Sequence, residues 1–351
     1  MRIIFSGDLR ARWMTGWQRC QTLKQLGHDV IELCHAGDLL SLAGRVLKYW
    51  KSYRGEIYDK AHLQQINDRF LSLVNDTKPD LVWVDKVLTL LPETIAEAKK
   101  KAPACQFVCY QDDDPFGFRT WQLTMWRHFI DAIPLYDFHF VKKEIDLIEF
   151  REHGARRVEI CLLGFFPDIF HPVPEEAISA EFRRDVAFVG TAIDHRVRAI
   201  SELIGKQKVP VHVYGDDWYR TVPFYRYRSQ FHAALRTENY VSLVCGSKIC
   251  LGFVSSLNRD EFNGRTFEIP ACGGFFLAER TPKHLEFYEE GKEAEFFSSV
   301  EECADKVQFY LRNEPQRLRV ARAGHRRALE SDYSYKRRLT DALAKVKEVA
   351  A

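Results

Sequence analysis

The sequence predicts two successive α/β units, each built on a parallel sheet with helices on both faces. Three observations support this. Short apolar runs alternate with amphipathic segments along most of the chain, the pattern of strands joined by covering helices. Glycine or polar residues follow most of the runs, as at the carboxyl ends of parallel strands. The alternation also breaks at a proline-containing passage, residues 167–174, and then restarts. At 351 residues there is room for two cores of about 150 residues each. The expected division is residues 1–168, residues 175–332 and a final helical segment, 333–351, that crosses back to the first domain.

In the first half, strands are expected at 2–5, 30–34, 81–84, 106–110, 138–141 and 158–162. Helices are expected from 15 and over 62–75, 92–100, 121–133 and 143–152. Trp17, Cys20, Leu23 and Leu26 recur at helical spacing, and Gly27 closes that helix. In the second half, strands are expected at 185–189, 209–214, 249–253 and 275–278, with another near 294–297, and helices at 195–204, after Arg265, after Ser299 and over 334–349. The opening MRIIFSGDL has one basic residue and a short apolar run, so a strand is expected rather than a signal peptide.

Composition narrows the function. Hydrophobic residues at 46% and charged residues at 28% are those of a soluble globular protein. A net charge of +2 gives no prior for nucleic acid, since a dedicated binder carries a much larger basic excess. No apolar run approaches the roughly 20 residues that span a bilayer. The nine cysteines are scattered, and neither Cys105–Cys109 nor Cys245–Cys250 has zinc-ligand spacing, so free thiols in a reducing cytoplasm are expected. The twelve histidines form no H-E-x-x-H, and there is no G-x-S-x-G. The first strand–loop–helix lacks G-x-G-x-x-G, which argues against a dinucleotide site.

The densest candidate stretch is NRDEFNGRTFEIPACGGFFLAE, residues 258–279. Arg265 and Glu268 are three apart, one turn on one helical face. Asn263 and Thr266 sit at the expected helix start, where unpaired N–H groups attract phosphate. Gly273-Gly274 supply the left-handed stop. Glu268, in an apolar context, needs a partner; an intrahelical ion pair and a ligand are the two readings. Gly190-Thr191 end a strand where backbone N–H groups can approach a phosphate that Arg196 neutralises; the plain alternative is a tight turn with a solvent-facing arginine. Gly215 and Asp217 end the next strand. In the first half the equivalent positions are Ser6, Gly7, Asp85, Lys86 and Asp112-Asp113-Asp114, the last read as a cation site, a general base or turn caps before Pro115. Two basic–aromatic stretches, residues 45–54 and 219–228, read either as domain edges with snorkelling arginines or as contacts with an anionic membrane surface.

The run Arg265-Thr266-Phe267-Glu268-Ile269-Pro270-Ala271-Cys272-Gly273-Gly274 resembles the donor-binding stretch of GT-B glycosyltransferases, specifically the CgeB-like (spore maturation) branch of the group 1 enzymes. Residues 185–190 with Arg196, residues 209–215, 288–293 and 321–324 follow in the same order, so the resemblance covers about 185–340. It implies two Rossmann-like domains facing across a cleft. A nucleoside diphosphate sugar would be the donor substrate, held by the second domain with no further cofactor and no metal. A hydroxyl acceptor of unknown identity (polysaccharide, glycolipid or small molecule) would lie on the first. Glu268 would hold the ribose, Arg265 and Gly190 the diphosphate region, and Lys248 the leaving phosphate. Asp260 stands where many relatives carry a second glutamate that binds the sugar. If the reaction inverts, Asp113 or Asp114 is expected as base. The alternatives are a non-catalytic nucleotide-sugar-binding or assembly protein and a NAD(P)-dependent oxidoreductase. A cytoplasmic protein is expected, with peripheral contact at the inner membrane face as its extension.

Overall fold

The computed structural model describes residues 1–35, 60–117 and 123–350. The chain forms two compact units, one from 1–162 with 335–351 and the other from 163–334. The residue 167–174 passage therefore belongs to the second unit.

Unit 1 is a six-stranded parallel sheet of order β2-β1-β3-β4-β5-β6. Its strands are β1 Arg2–Gly7, β2 Asp29–Cys34, β3 Leu81–Asp85, β4 Gln106–Gln111, β5 Phe138–Val141 and β6 Val158–Ile160. The described helices are α1 Thr15–Gln25, α2 Lys60–Thr77, α3 Pro92–Lys101, α4 Leu123–Ala132, α5 Glu144–Glu152 and, from the chain's return, α13 Tyr335–Ala350. Residues 121–122 of the helix expected at 121–133, and the basic–aromatic stretch 45–54, lie outside the described residues.

Strand periodicity divides the apolar residues between the two faces. Ile4, Val82, Val84, Phe107 and Cys109 point to one core with residues of α2, α3 and α4. Ile3, Phe5, Leu81, Trp83, Val108, Tyr110, Phe138 and Phe140 point to the other, where Leu339, Ala342, Leu343 and Val346 of α13 complete the cover. The spacing of those four residues is one helical stripe, so the last helix is part of the first unit's core.

Unit 2 repeats the architecture with strand order β12-β11-β10-β7-β8-β9. Its strands are β7 Arg184–Val189, β8 Val211–Tyr214, β9 Phe231–His232, β10 Ser247–Gly252, β11 Phe276–Glu279 and β12 Glu295–Phe297. Its helices are α6 Arg196–Gly205, α7 Val222–Arg226, α8 Thr237–Gly246, α9 Arg265–Ala271, α10 Pro282–Phe287, α11 Val300–Arg312 and α12 Glu314–Glu330. The pairing of named strands in both units is parallel. Strand β9 and helix α8 are not marked by clear sequence signals; β9 has only two residues and is held by its pairing with β8. α9 ends as its sequence requires: Gly273 takes a φ of +76°, and Gly274 N–H returns to Ile269 O at 3.0 Å. No helix among the described residues is long and apolar enough to cross a membrane.

The centre of unit 1 is held by a buried ion pair. Arg19 donates Nε to Asp85 Oδ2 and Nη2 to Asp85 Oδ1, both at 2.7 Å. Trp83 Nε1 also donates to Asp85, and the guanidinium lies 4.1 Å over the Tyr110 ring. Both side chains are 1% exposed. Removing one partner strands a charge in the core. Asp85→Ala is expected to cost about 3–5 kcal/mol in urea unfolding, whereas Asp29→Ala, at a surface pair, stays within about 1 kcal/mol.

Candidate functional site

In unit 2 the polar residues gather where the strand order reverses. From β7 the chain moves outward to β8 and β9; from β10 it moves the other way to β11 and β12. β7 and β10 are neighbours, and open parallel sheets bind ligands outside the carboxyl ends of such a pair. The loops after β7 and β10 and the start of α9 border this point.

Arg265 opens α9 and ties it to its surroundings. Its Nη1 donates to Glu268 Oε2, its Nε lies 3.5 Å from Val189 O at the end of β7, and its guanidinium sits 4.2 Å over the Tyr240 ring of α8. Burial opposes its charge, but Tyr240 and Glu268 more than offset that and raise its pKa. Glu268 is buried, at 5% exposure, and fills the space beside Gly264, where a Cβ would meet Glu268 Oε1 at 2.8 Å. The intrahelical ion pair is therefore formed; it also holds both groups at the sheet's reversal.

Arg196, the first residue of α6, is 8% exposed, not solvent-facing. Nη2 donates to Val254 O at 3.2 Å, and Nε is buried with no hydrogen-bond partner. Burial lowers its pKa; Asp194, Glu279 and Asp260 pull the other way, and Arg265 adds repulsion. A buried cation with one carbonyl acceptor gains from an incoming anion. The nearby carboxylates, by contrast, are engaged: Asp194 accepts from Ser255 Oγ at 2.5 Å, and Glu279 accepts from Val254 N–H and pairs with His195. Asp260 accepts from Asn258 Nδ2. Asn263 donates Nδ2 to Phe253 O and accepts Arg265 N–H, joining β10's loop to α9.

Four sequence expectations change here. Gly190 N–H is spent on Tyr214 O and does not reach toward a phosphate; its carbonyl accepts Trp218 Nε1, and a Cβ there would meet the Phe188 ring at 2.7 Å. Thr191 follows it, half-buried. Thr266 is fully buried, with its hydroxyl 2.9 Å from His284 Nε2 and its carbonyl bonded by Tyr288, so it faces the interior rather than a ligand. Lys248 lies at the start of β10, with Asp185 at 2.7 Å, at the amino end of the sheet. Four residues of strand, roughly 13 Å, separate it from the carboxyl end. Asp114 is buried, accepts the N–H groups of Phe116 and Gly117 and serves the turn before Phe116, so its own carboxylate is not open to act as a base.

Gly215 is a packing requirement: a Cβ there would stand 2.0 Å from Gly190 O, so β7 and β8 meet only if it is glycine. Tyr240, Asp194 and Glu279 were not assigned from sequence. Asp194 and Glu279 each follow or end a strand, which is a usable signal; Tyr240 lies within an apolar helix and gives none.

In unit 1 the corresponding edge holds Lys86, Asp112 and Asp113. Lys86 Nζ reaches Asp112 Oδ1 at 2.5 Å and Asp113 Oδ2 at 3.0 Å. Burial works against the ammonium, but the two carboxylates more than compensate and raise its pKa. Asp112 is buried, whereas the Asp113 side chain is 45% exposed. Asp114, Asp146 and Glu149 offer oxygens within 4.8 Å of one another. Lys143 already supplies a cation there, 3.6 Å from Asp114 and 3.5 Å from Asp146.

Residues 195–344 match the family described as glycosyl transferase-like. No curated protein sequence is significantly similar to the chain. Among solved structures, Anabaena HepE in complex with UDP and glucose is similar at 11% identity and TM-score 0.68, over 99% of this chain and 100% of that one. Sucrose-phosphate synthase from Thermosynechococcus elongatus aligns at 12% identity and TM-score 0.67, over the full length of both chains. A UDP-forming trehalose-phosphate synthase from Burkholderia xenovorans aligns at 15% identity and TM-score 0.64, over 100% and 99%. The chain thus has the α/β fold of the GT-B glycosyltransferases, and residues 195–344 of it are glycosyl transferase-like in sequence.

Proposed function

We propose that this protein is a glycosyltransferase that moves a sugar from a nucleoside diphosphate sugar, bound in unit 2, to a hydroxyl acceptor served by unit 1. The observation that carries this reading is Arg196: a buried guanidinium with an unpartnered Nε, at the sheet's reversal, in the segment that matches the glycosyl transferase-like family. A diphosphate supplies the missing anion. Arg265 contributes the second cation, and the Thr191 N–H lies on the same loop. Glu268 would exchange part of its bond to Arg265 for the ribose hydroxyls, and Asp260 would face the sugar. The leaving diphosphate would be stabilised by these fixed cations rather than by a metal. In an inverting reaction Asp113 takes the acceptor proton, because it is the exposed carboxylate of its run; a retaining reaction needs no such base. The HepE complexes contain UDP, UDP-glucose or UDP with glucose, which makes UDP the first nucleotide to try.

Calorimetry with UDP is expected to give saturable binding, weakened at least tenfold, about 1.4 kcal/mol, in Arg196→Ala and in Glu268→Ala. Lys248→Ala, at the other end of the sheet, should leave it unchanged. A rise in melting temperature with NAD(P) alone would replace this reading with the oxidoreductase. UDP binding without hydrolysis or transfer of any UDP-sugar would favour a non-catalytic binding protein.

A cytoplasmic protein with peripheral membrane contact is the second part of the proposal, and residues 218–228 support it. Pro223 and Phe224 of α7 face the core, which turns Val222 (78% exposed) and Tyr225 (73%) outward beside Tyr219 (52%). Arg220, Arg226 and Arg228 are exposed around them. Apolar tips ringed by arginines suit an anionic interface. Co-sedimentation with phosphatidylglycerol vesicles is expected, and it should be lost in the Val222→Ser/Tyr225→Ser double variant. Equal pelleting of that variant would remove this part of the proposal.

A further inference from the structure

Cys245 and Cys272 sit where two helices of the candidate site end together. Cys245 is the penultimate residue of α8, and Cys272 is the C-cap of α9. The two ends are in close contact. Cys245 Sγ donates to Cys272 O at 3.3 Å, and a Cβ on Gly274 would stand 2.8 Å from Val244 Cγ1 and 3.0 Å from Ile269 Cγ2. Cys272 is 2% exposed, whereas Cys245 is only half-buried, so one thiol of the pair is open to a reagent and the other is shielded behind it. These same helices carry Tyr240 and Arg265, whose ring and guanidinium stack at 4.2 Å.

We propose that Cys245 and Cys272 form a thiol modification site, which a hydroperoxide closes to a disulfide and a thiol reductant reopens, and that closing it loosens the Tyr240–Arg265 grip. The Cys245 thiolate attacks the peroxide, its S–O bond forming as the O–O bond breaks and hydroxide leaves. The Cys272 sulfur then attacks the resulting sulfenic acid and expels its oxygen as water. Two thiols and one hydrogen peroxide become one disulfide and two waters. The surroundings favour this order. A hydrogen bond from the Cys272 thiol draws Cys245 down to about 7 against the effect of burial, helped by the Val173 backbone and His171; Cys272 is raised by the same bond and by burial. The thiolate is the reactive form, so Cys245 is the attacking group and Cys272 the resolving one. Joining the sulfurs shortens their separation to about 2.05 Å. That draws the end of α8 toward the cap of α9 and shifts Tyr240 against Arg265. The effect on ligand binding rests on the glycosyltransferase reading; the cross-link does not.

The test is treatment of the full chain with hydrogen peroxide, followed by intact-mass and peptide mapping and by UDP calorimetry. The expected result is a loss of about 2 Da mapped to a Cys245–Cys272 peptide, absent in Cys245→Ser. It should be accompanied by a fall in UDP affinity of at least tenfold, reversed by dithiothreitol. Sulfinic acid on Cys245 with no link to Cys272 overturns the site. A full cross-link with unchanged UDP affinity overturns its effect on the grip. Absence of UDP binding before oxidation is a failure of the proposed function, and the mass readout still decides the thiol pair.

Discussion

Arg265 is the point through which unit 2's site is assembled. Its side chain touches three elements: Val189 at the end of β7, Tyr240 on α8 and Glu268 on its own helix. Each contact alone is modest. A cation over an aromatic ring contributes about 0.5–2 kcal/mol, and an i,i+3 pair on an isolated helix a few tenths. Their value is in position. The guanidinium is planar and its donors are fixed in a fork, so three simultaneous contacts leave α9 only one rotation about its axis. That rotation aims Glu268 and the N-terminus of α9 at the reversal between β7 and β10. α9 is short and contains Pro270, so little helical stability of its own opposes displacement. The ties of Arg265 and Asn263, together with the stop at Gly273, locate it.

Two buried arginines show opposite solutions to the same electrostatic problem. Arg19 in unit 1 meets Asp85 through two hydrogen bonds and is covered by Tyr110. That pairing answers most of the desolvation cost of burying a guanidinium. Arg196 in unit 2 meets a single carbonyl, and the carboxylates near it are held by Ser255, His195, Asn258 and backbone N–H groups. The first already holds a bidentate carboxylate, even though its Nη1 has no hydrogen-bond partner, and reads as structure. The second is bonded to no carboxylate and reads as a candidate anion site. Arginine type, burial and an unpartnered nitrogen do not separate them; a directly bonded carboxylate does.

The sequence made the alternation of strands and helices legible because both periodicities are strong: Ile3 and Phe5 against Ile4 on β1, and Leu339, Ala342, Leu343 and Val346 on the last helix. It also sets Arg265 and Glu268 one helical turn apart, where they form the intrahelical ion pair. The strand expected at 249–253 already sets Lys248 at its amino end, and only the family resemblance assigns it to the phosphate; the register that pairs Ser247 with Arg184 puts Lys248 at the amino end of β10. Thr266 differs from its expected role because a residue near a helix start has two choices of face: Asn263 caps the Arg265 N–H, while Thr266 turns inward to His284. Tyr240 was invisible because stacking under Arg265 arises from α8 packing on α9, residues far apart in the chain. Gly190 and Gly215 stand out in the sequence as glycines, but what excludes a Cβ, the Phe188 ring at Gly190 and the Gly190 carbonyl at Gly215, belongs to the packed structure.

In unit 1 the run Asp112-Asp113-Asp114 shows the same dependence on backbone placement. Three identical side chains in succession offer one sequence signal, and the backbone gives them three fates. Asp112 turns inward to Lys86. Asp114 turns to its own following N–H groups and organises the turn. Asp113 lies between them with 45% of its side chain exposed and Lys86 at 3.0 Å. A base has to reach an acceptor hydroxyl at about 2.6–3.2 Å, which a fully buried carboxylate engaged in a turn does not do. The cost of burying Asp112 and Asp114 therefore has a structural return. Asp112 binds Lys86 and Asp114 closes the turn, and between them they carry the one exposed carboxylate of the run just past the carboxyl end of β4.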